Sequence, residues 1–168
     1  AQTREGLVMP SCDTAPWEDA ASALLGREVI GVIGAREQSR PLIAALGLAD
    51  AEAELDEDEP HFALTLADLV VPDGPGDLVP MSSVDRALIV DWRRCYCEEV
   101  LGAPAVTSRQ RAEADIAGYL EADSHRVLVG PDGPICATGF NAATPDIVQI
   151  GGGYTPKKLR GRGYAPRA

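Results

Sequence analysis

The spacing of apolar positions in the second half of the chain predicts two helices. In the first, apolar side chains recur at near-helical spacing, at Leu88, Ile89, Trp92, Tyr96 and Val100. Ser82-Ser83 is placed to cap this helix, which is expected to run to about Leu101. Thr107-x-x-Gln110 has the spacing of a capping box, so a second helix is predicted to begin there and to reach about Ala122.

The residues after the second helix predict three strands. Apolar runs at 126–130 and 135–140 are joined by Pro131-Asp-Gly-Pro134, whose residue types are those of a hairpin turn. A third run, 147–154, contains three consecutive glycines before it ends. The turn predicts that the first two strands form an antiparallel hairpin.

The first half of the chain alternates shorter strands and helices. The predicted elements are strand 6–9, helix 17–25, strand 29–33, a helix within 37–46 and strand 62–71. Thr14 is placed to cap the first helix, with Pro16 in its first turn. The segment from Asp50 to Glu59 holds seven carboxylates in ten residues, a composition typical of a solvated loop.

One segment rich in glycine and proline separates the two halves. Pro72-Asp-Gly-Pro-Gly76 is the strongest linker candidate in the sequence. The chain is therefore interpreted as two units, an N-terminal α/β unit at 1–76 and a second unit at 77–168. A single α/β domain of ordinary topology is the alternative, since 168 residues also suit one domain.

Composition and charge oppose several classes of protein. A net charge of −11 and a pI near 4.5 repel phosphate, so no nucleic-acid partner is expected. No apolar stretch has the length of a transmembrane helix and the first residues lack a signal peptide, so a soluble, cytoplasmic protein with no membrane partner is expected. The four cysteines and two histidines lack metal-ligand spacing, so these residues are interpreted as structural and no metal is expected.

Basic side chains are nevertheless concentrated at the end of the sequence. Five of the fifteen fall within residues 157–168. Gly161 and Gly163 allow consecutive backbone N–H groups to face one concavity, beside a helix expected to begin near Tyr164. Residues 160–165 are therefore predicted to bind a phosphate group. The alternative is a solvated tail rich in arginine and glycine.

The spacing Arg160-x-x-Gly163-x-Ala165 resembles the acetyl-CoA pyrophosphate loop of the GNAT superfamily of N-acetyltransferases, whose pattern is Gln/Arg-x-x-Gly-x-Gly/Ala. Many members enter this loop from a strand ending Tyr-Thr-Pro, as at Tyr154-Thr155-Pro156. The predicted order of two helices, three strands and the loop is similar to the first half of that fold, which implies that the three strands form an antiparallel meander. The resemblance covers about residues 79–168 and implies an α/β (α+β) fold with a mixed, mainly antiparallel sheet and flanking helices.

The resemblance also implies a function. Acetyl-CoA serves as co-substrate, and its acetyl group moves to a primary amine on a small molecule or peptide. The residues implied to bind acetyl-CoA are Gly153, Tyr154, Thr155, Arg160, Gly161, Arg162, Gly163, Tyr164 and Ala165. No catalytic side chain is assigned, because Asn141 and Gln149 suit either the orientation of substrate or water, or a structural role. A non-catalytic GNAT-like module that binds CoA or a protein is the alternative.

The sequence departs from the family's pattern in two respects. Gly151-Gly152-Gly153 replaces a strand segment that commonly carries a β-branched residue, and Pro166 falls in the first turn of the expected central helix. The family's fold continues beyond the loop, so 77–168 is interpreted as the first half of an acetyltransferase domain and 1–76 as a degenerate GNAT-like unit. This chain alone is expected to be inactive, and the unpaired edge of its third strand allows homo-oligomers.

Overall fold

A computed structural model of the protein describes residues 1–12 and 16–168. These residues form four α-helices, a pair of parallel strands and a four-stranded antiparallel sheet. The chain divides into two compact units, Ala1–Ala63 and Leu64–Ala168. The structure therefore has the mixed α+β character, with a mainly antiparallel sheet, that the sequence predicted. The predicted domain boundary at residue 76 stays a prediction, and the predicted cap Thr14 lies outside the described residues.

The first unit consists of two short strands, each followed by a helix. β1 (Leu7–Val8) pairs in parallel with β2 (Gly31–Val32), and α1 (Trp17–Ser22) and α2 (Arg36–Ala45) pack against each other. All four elements overlap the predicted ranges, although α1 ends three residues before the predicted end at 25 and β2 begins two residues after the predicted start at 29. The buried residues of this unit's hydrophobic core are Val8, Ala21 and Leu42.

The strand predicted at 62–71 is wrong. These residues contain a 3-10 turn at Leu66–Asp68, and their side chains are exposed. The strand that opens the larger sheet is instead β3 (Asp77–Pro80). A short apolar run predicts a strand only when another part of the chain covers it, and Phe62, for example, is 91% exposed.

The sheet of the second unit has the strand order of the sequence. β3 is followed by β4 (His125–Gly130), β5 (Gly133–Ala143) and β6 (Val148–Tyr154), and each strand pairs antiparallel with the next. A two-residue turn joins β4 to β5 because Gly130 pairs with Gly133, which has φ +114°. The predicted meander is confirmed, and β6 is at one edge of the sheet among the described strands.

Helices α3 (Arg86–Glu99) and α4 (Ala105–Glu121) lie between β3 and β4 in sequence and pack against each other. Both were predicted, but both predicted caps are wrong. The carboxylate of Asp85 caps α3, accepting a hydrogen bond from the N–H of Ala87 at 3.0 Å. Thr107 lies inside α4, which begins directly after Pro104, and its hydroxyl donates to the Pro104 carbonyl at 3.1 Å.

The core of the second unit joins these helices to the sheet. Its buried residues include Ile89, Trp92, Ile116, Val127 and Tyr154. Cys97 and Cys136 are also buried, which agrees with a packing role, whereas Cys12 in the first unit is exposed. Within the described ranges, no helix is both long and apolar enough to pass through a bilayer.

Candidate functional site

A cavity of about 480 Å³ lies beside the end of β6 and the loop that follows it. Eight of the nine predicted cofactor-binding residues line this cavity, and the ninth, Arg162, is exposed and does not. The end of α3 supplies two further lining residues, Glu99 and Val100. The fold therefore brings most of the predicted site together, while cofactor binding by these residues stays a prediction.

The loop conformation follows from its sequence. β6 ends at Tyr154 and is followed by Thr155 and Pro156, because proline lacks the N–H that a continuing strand would need. A 3-10 turn at Lys157–Leu159 reverses the chain, and Gly161 and Gly163 then have φ of +73° and +75°. Residues other than glycine seldom adopt these angles. A Cβ added at either glycine would have no atom within 4 Å. The loop is therefore open on this side.

The most informative property of this loop is its unpaired backbone. Among the described residues, none accepts a hydrogen bond from the five consecutive N–H groups of Gly161 to Ala165. The N–H groups on either side are paired, since that of Arg160 donates to Lys157 and that of Arg167 donates to Tyr164. Backbone donors require an acceptor, so these five groups are free for water or a bound anion.

A buried hydrophobic cluster in the sheet packs against both ends of the loop. Leu128, Ile135 and Cys136 are buried in the sheet, and Leu159 and Tyr164 pack against them. These contacts fix the two ends of the glycine segment while its middle stays exposed. A donor array held by packing loses less conformational entropy on binding a ligand than a disordered tail would.

The basic side chains beside the loop already have an acidic partner. Arg160 Nη2 lies 2.8 Å from Glu99 Oε2, and its Nε donates to the Thr155 carbonyl at 2.8 Å. Lys157 Nζ lies 3.5 Å from the other carboxylate oxygen of Glu99. The hydrogen bond from Arg160 holds the pKa of Glu99 below its ordinary value. Glu99 was not among the residues that the sequence predicted.

Tyr154 connects β6 to the same carboxylate. Its hydroxyl donates to Glu99 Oε1 at 3.2 Å, and its ring is 5.4 Å from the Arg160 guanidinium carbon. Burial raises the pKa of the Tyr154 phenol, so the hydroxyl keeps its proton at neutral pH and acts as a donor.

The glycine run of β6 covers a buried histidine. Gly152 has φ +65° and lies with Gly153 in a bulge, because both residues face one residue of β5. His125 is 1% exposed, and a Cβ at Gly152 would lie 3.3 Å from its Nε2. A Cβ at Gly139 would overlap the imidazole ring, at 2.3 Å. The glycines therefore provide the space that this ring occupies.

His125, which the sequence analysis interpreted as structural, is the first residue of β4 and is buried. Its Nδ1 is 2.9 Å from Ser124 Oγ and its ring stacks on Tyr119 at 3.6 Å, while Nε2 has no hydrogen-bond partner among the described residues. Burial, with a smaller contribution from the charge of Arg93, lowers the pKa of His125 to about 4. The imidazole is therefore neutral at physiological pH.

The two amides considered as substrate-orienting groups lie away from the cavity. Asn141 is at a second irregularity of the β5 and β6 pairing, and its side chain covers Gly151, where a Cβ would lie 1.9 Å from Nδ2. Gln149 is exposed on β6. Neither residue lines the cavity. In the part of the chain that the structure describes, no group of three or more potential ligand side chains is arranged to hold a metal ion.

Comparison of the chain with protein-family models, curated proteins and solved structures returned no match. Function is therefore inferred from the chemistry of the cavity. Arg160 and four of the five residues with free N–H groups line this cavity, and Lys157 is paired with the lining residue Glu99. These groups suit an anion with several oxygen atoms, such as a phosphate or a pyrophosphate.

Proposed function

We propose that this protein is an acetyl-CoA-dependent N-acetyltransferase of the GNAT type and that residues 153–165 bind the CoA. The observation that carries the proposal is the run of five unpaired N–H groups from Gly161 to Ala165, in the loop that follows the edge strand β6. A pyrophosphate accepts several hydrogen bonds at once and suits such a run better than a carboxylate does.

The basic side chains support the same ligand. Arg160 precedes the free N–H groups in sequence, and Lys157 shares its partner Glu99, so both contribute positive charge to the loop in a chain whose net charge is −11. Arg162 is exposed and is a candidate for the 3′-phosphate of CoA. Positive charge concentrated in one loop favours a small anionic ligand over a long polyanion such as nucleic acid.

The edge position of β6 supports the placement of pantetheine. Among the described strands, none pairs with the outer side of β6, so its backbone groups are available there. Pantetheine contains two amide groups, which hydrogen-bond to an exposed strand edge as a peptide strand does. In this proposal pantetheine lies near Gly153 and Thr155, with the thioester further along β6.

The proposed reaction is direct transfer between the thioester and an amine. The amine nitrogen forms a bond to the acetyl carbon, the carbon–sulfur bond breaks, and the sulfur leaves as a thiolate that takes up a proton. The attacking amine is neutral and gives up one proton as the amide forms. No side chain is assigned to these proton transfers.

Calorimetric titration with acetyl-CoA, followed by assay of free thiol with a panel of amines, tests the proposal. We expect binding that inorganic pyrophosphate competes away. Thiol release that depends on the amine would support the N-acetyltransferase and would overturn the expectation that this chain alone is inactive. Binding without thiol release fits that expectation and also the alternative of a non-catalytic CoA-binding module. No binding of acetyl-CoA at millimolar concentration would contradict the proposal.

A further inference from the structure

The side chain of Glu99 pairs with two cationic side chains, Arg160, which lines the cavity, and Lys157, which does not. Its two oxygens are bonded to Arg160 at 2.8 Å and to Tyr154 at 3.2 Å, with Lys157 at 3.5 Å. The Glu99 side chain is 23% exposed, and it is the one acidic residue that lines the cavity in the described part of the chain. The groups that would attract a phosphate are therefore already bonded to a carboxylate.

This arrangement links three separate parts of the second unit. Glu99 ends α3, Tyr154 ends β6, and Arg160 lies in the loop, 61 residues from Glu99 in sequence. The Arg160 guanidinium also donates to the Thr155 carbonyl, so its position is fixed from two directions. A phosphate that binds Arg160 would lie close to the negative charge of Glu99, because Arg160 is already bonded to that carboxylate. Like charges repel at this range.

We propose that Glu99 is a specificity-determining residue, an internal anion that a phosphate ligand must displace from Arg160 and Lys157. A multivalent pyrophosphate that also binds the free N–H groups displaces it, whereas a monovalent anion does not. The proposal rests on the proposed function for the identity of the ligand as CoA. The competition between Glu99 and the ligand for Arg160 and Lys157 applies to any pyrophosphate.

A supporting role for Glu99 predicts the opposite change in ligand affinity when its charge is removed. If the carboxylate served to position Arg160 for the ligand, its neutralisation would weaken binding, because the guanidinium would lose its fixed orientation. If Glu99 competes with the ligand, neutralisation strengthens binding. Glu99→Gln keeps the size and hydrogen-bonding ability of the side chain and removes its charge, so it separates the two roles.

The test measures the affinities of inorganic pyrophosphate and of CoA for the full chain and for Glu99→Gln by calorimetry. Glu113→Gln is the matched control, since it removes one charge from an exposed pair with Arg109 on α4. We expect Glu99→Gln to bind both probes about threefold to tenfold more tightly, as the loss of one exposed charge predicts, and Glu113→Gln to match the wild type. Thermal unfolding confirms that each variant is folded.

The outcomes separate this inference from the proposed function. Tighter binding of both probes by Glu99→Gln supports both, while tighter binding of pyrophosphate alone supports the inference and contradicts the assignment of CoA. Equal or weaker binding by Glu99→Gln overturns the inference, whether or not CoA binds the wild type. Absence of binding of either probe to either protein overturns both.

Discussion

Each unit of this protein has one place where a strand is followed by glycine, arginine and a helical turn. In the first unit, β2 leads through Gly34 to Arg36 and α2. In the second, β6 leads through Arg160 and Gly163 to a 3-10 turn at Ala165–Arg167. The two segments are similar in composition, but the structure makes them different kinds of junction.

The junction in the first unit is closed. A Cβ at Gly34 would lie 3.2 Å from Ser39 Oγ and 3.4 Å from the Pro10 ring, so the turn packs against its neighbours. Arg40, one turn further along α2, pairs with Asp56 at 2.6 Å and with Asp58. The glycines of the loop in the second unit have open space instead, whereas N–H groups without a partner among the described residues occur in both junctions, at 34–37 and at 161–165. Glycine, arginine and unpaired donors after a strand are therefore common to both junctions, and the open space around Gly161 and Gly163 distinguishes the second.

The largest difference between the units that we expect is in their response to acid. His125 is buried with a pKa of about 4, below the ordinary 6.5, so the unfolded chain binds a proton between these values that the folded second unit does not. Stability of the second unit is therefore lost as pH falls from 6.5, reaching roughly 3 kcal/mol at pH 4 at about 1.4 kcal/mol per pH unit. Arg93, paired with Asp115, faces the ring from α3, and Tyr119 faces it from α4.

Amide hydrogen exchange measures the protection of backbone N–H groups in both units in one sample. Between pH 6.5 and 5, where free carboxylates stay ionised, protection of β4 is expected to fall while that of α2 stays level once intrinsic exchange rates are corrected. His125→Gln serves as the control and is expected to remove the pH slope of the second unit. An unchanged slope in that variant would show that another group causes the acid sensitivity.

Gly163→Glu is expected to have the largest effect on ligand binding. It places a side chain and a negative charge in the open loop, so CoA affinity is expected to fall about 100-fold, or about 2.7 kcal/mol. Gly47→Glu is a matched control in the first unit, since Gly47 has φ +72° and also has open space around it. Both variants share the cost of a left-handed backbone angle. Equal CoA affinity in the two variants would remove the distinction between the junctions.

Arg160→Gln is expected to have a smaller effect, about a tenfold loss of CoA affinity, because the backbone donors remain. Arg40→Gln removes the same charge from the closed junction of the first unit and is expected to leave CoA affinity unchanged. Titration of both variants by calorimetry measures the difference. If Arg160→Gln matched Arg40→Gln, the backbone donors alone would account for binding.

Much of this architecture could be predicted from the sequence, because it depends on local patterns. The spacing of apolar residues located all four helices, and the Pro131 to Pro134 segment located the hairpin. The caps were wrong because Ser83 and Thr107 are also good hydrogen-bonding residues within a turn, where they donate to carbonyls three residues earlier. The false strand at 62–71 had the composition of a strand but no partner to pair with.

The site could be predicted only in part, for a different reason. The loop is continuous in sequence, so its glycines and arginines were visible. Glu99 was not, since its partners Tyr154 and Arg160 are more than fifty residues away and no local pattern connects them. The burial of His125 beneath Gly139 and Gly152 likewise depends on three strands meeting. Contacts of this range arise from tertiary structure.

In the proposed function, the unpaired N–H groups of residues 161–165 bind the phosphates of CoA. Titration of the ¹⁵N-labelled chain with acetyl-CoA, followed by amide chemical shifts, tests this binding directly even when it is weak. We expect saturable shifts that are largest at Gly161 to Ala165, that inorganic pyrophosphate reproduces in the loop, and that are absent in Gly163→Glu. Saturable shifts confined to other residues, or no shifts at millimolar acetyl-CoA, would contradict it.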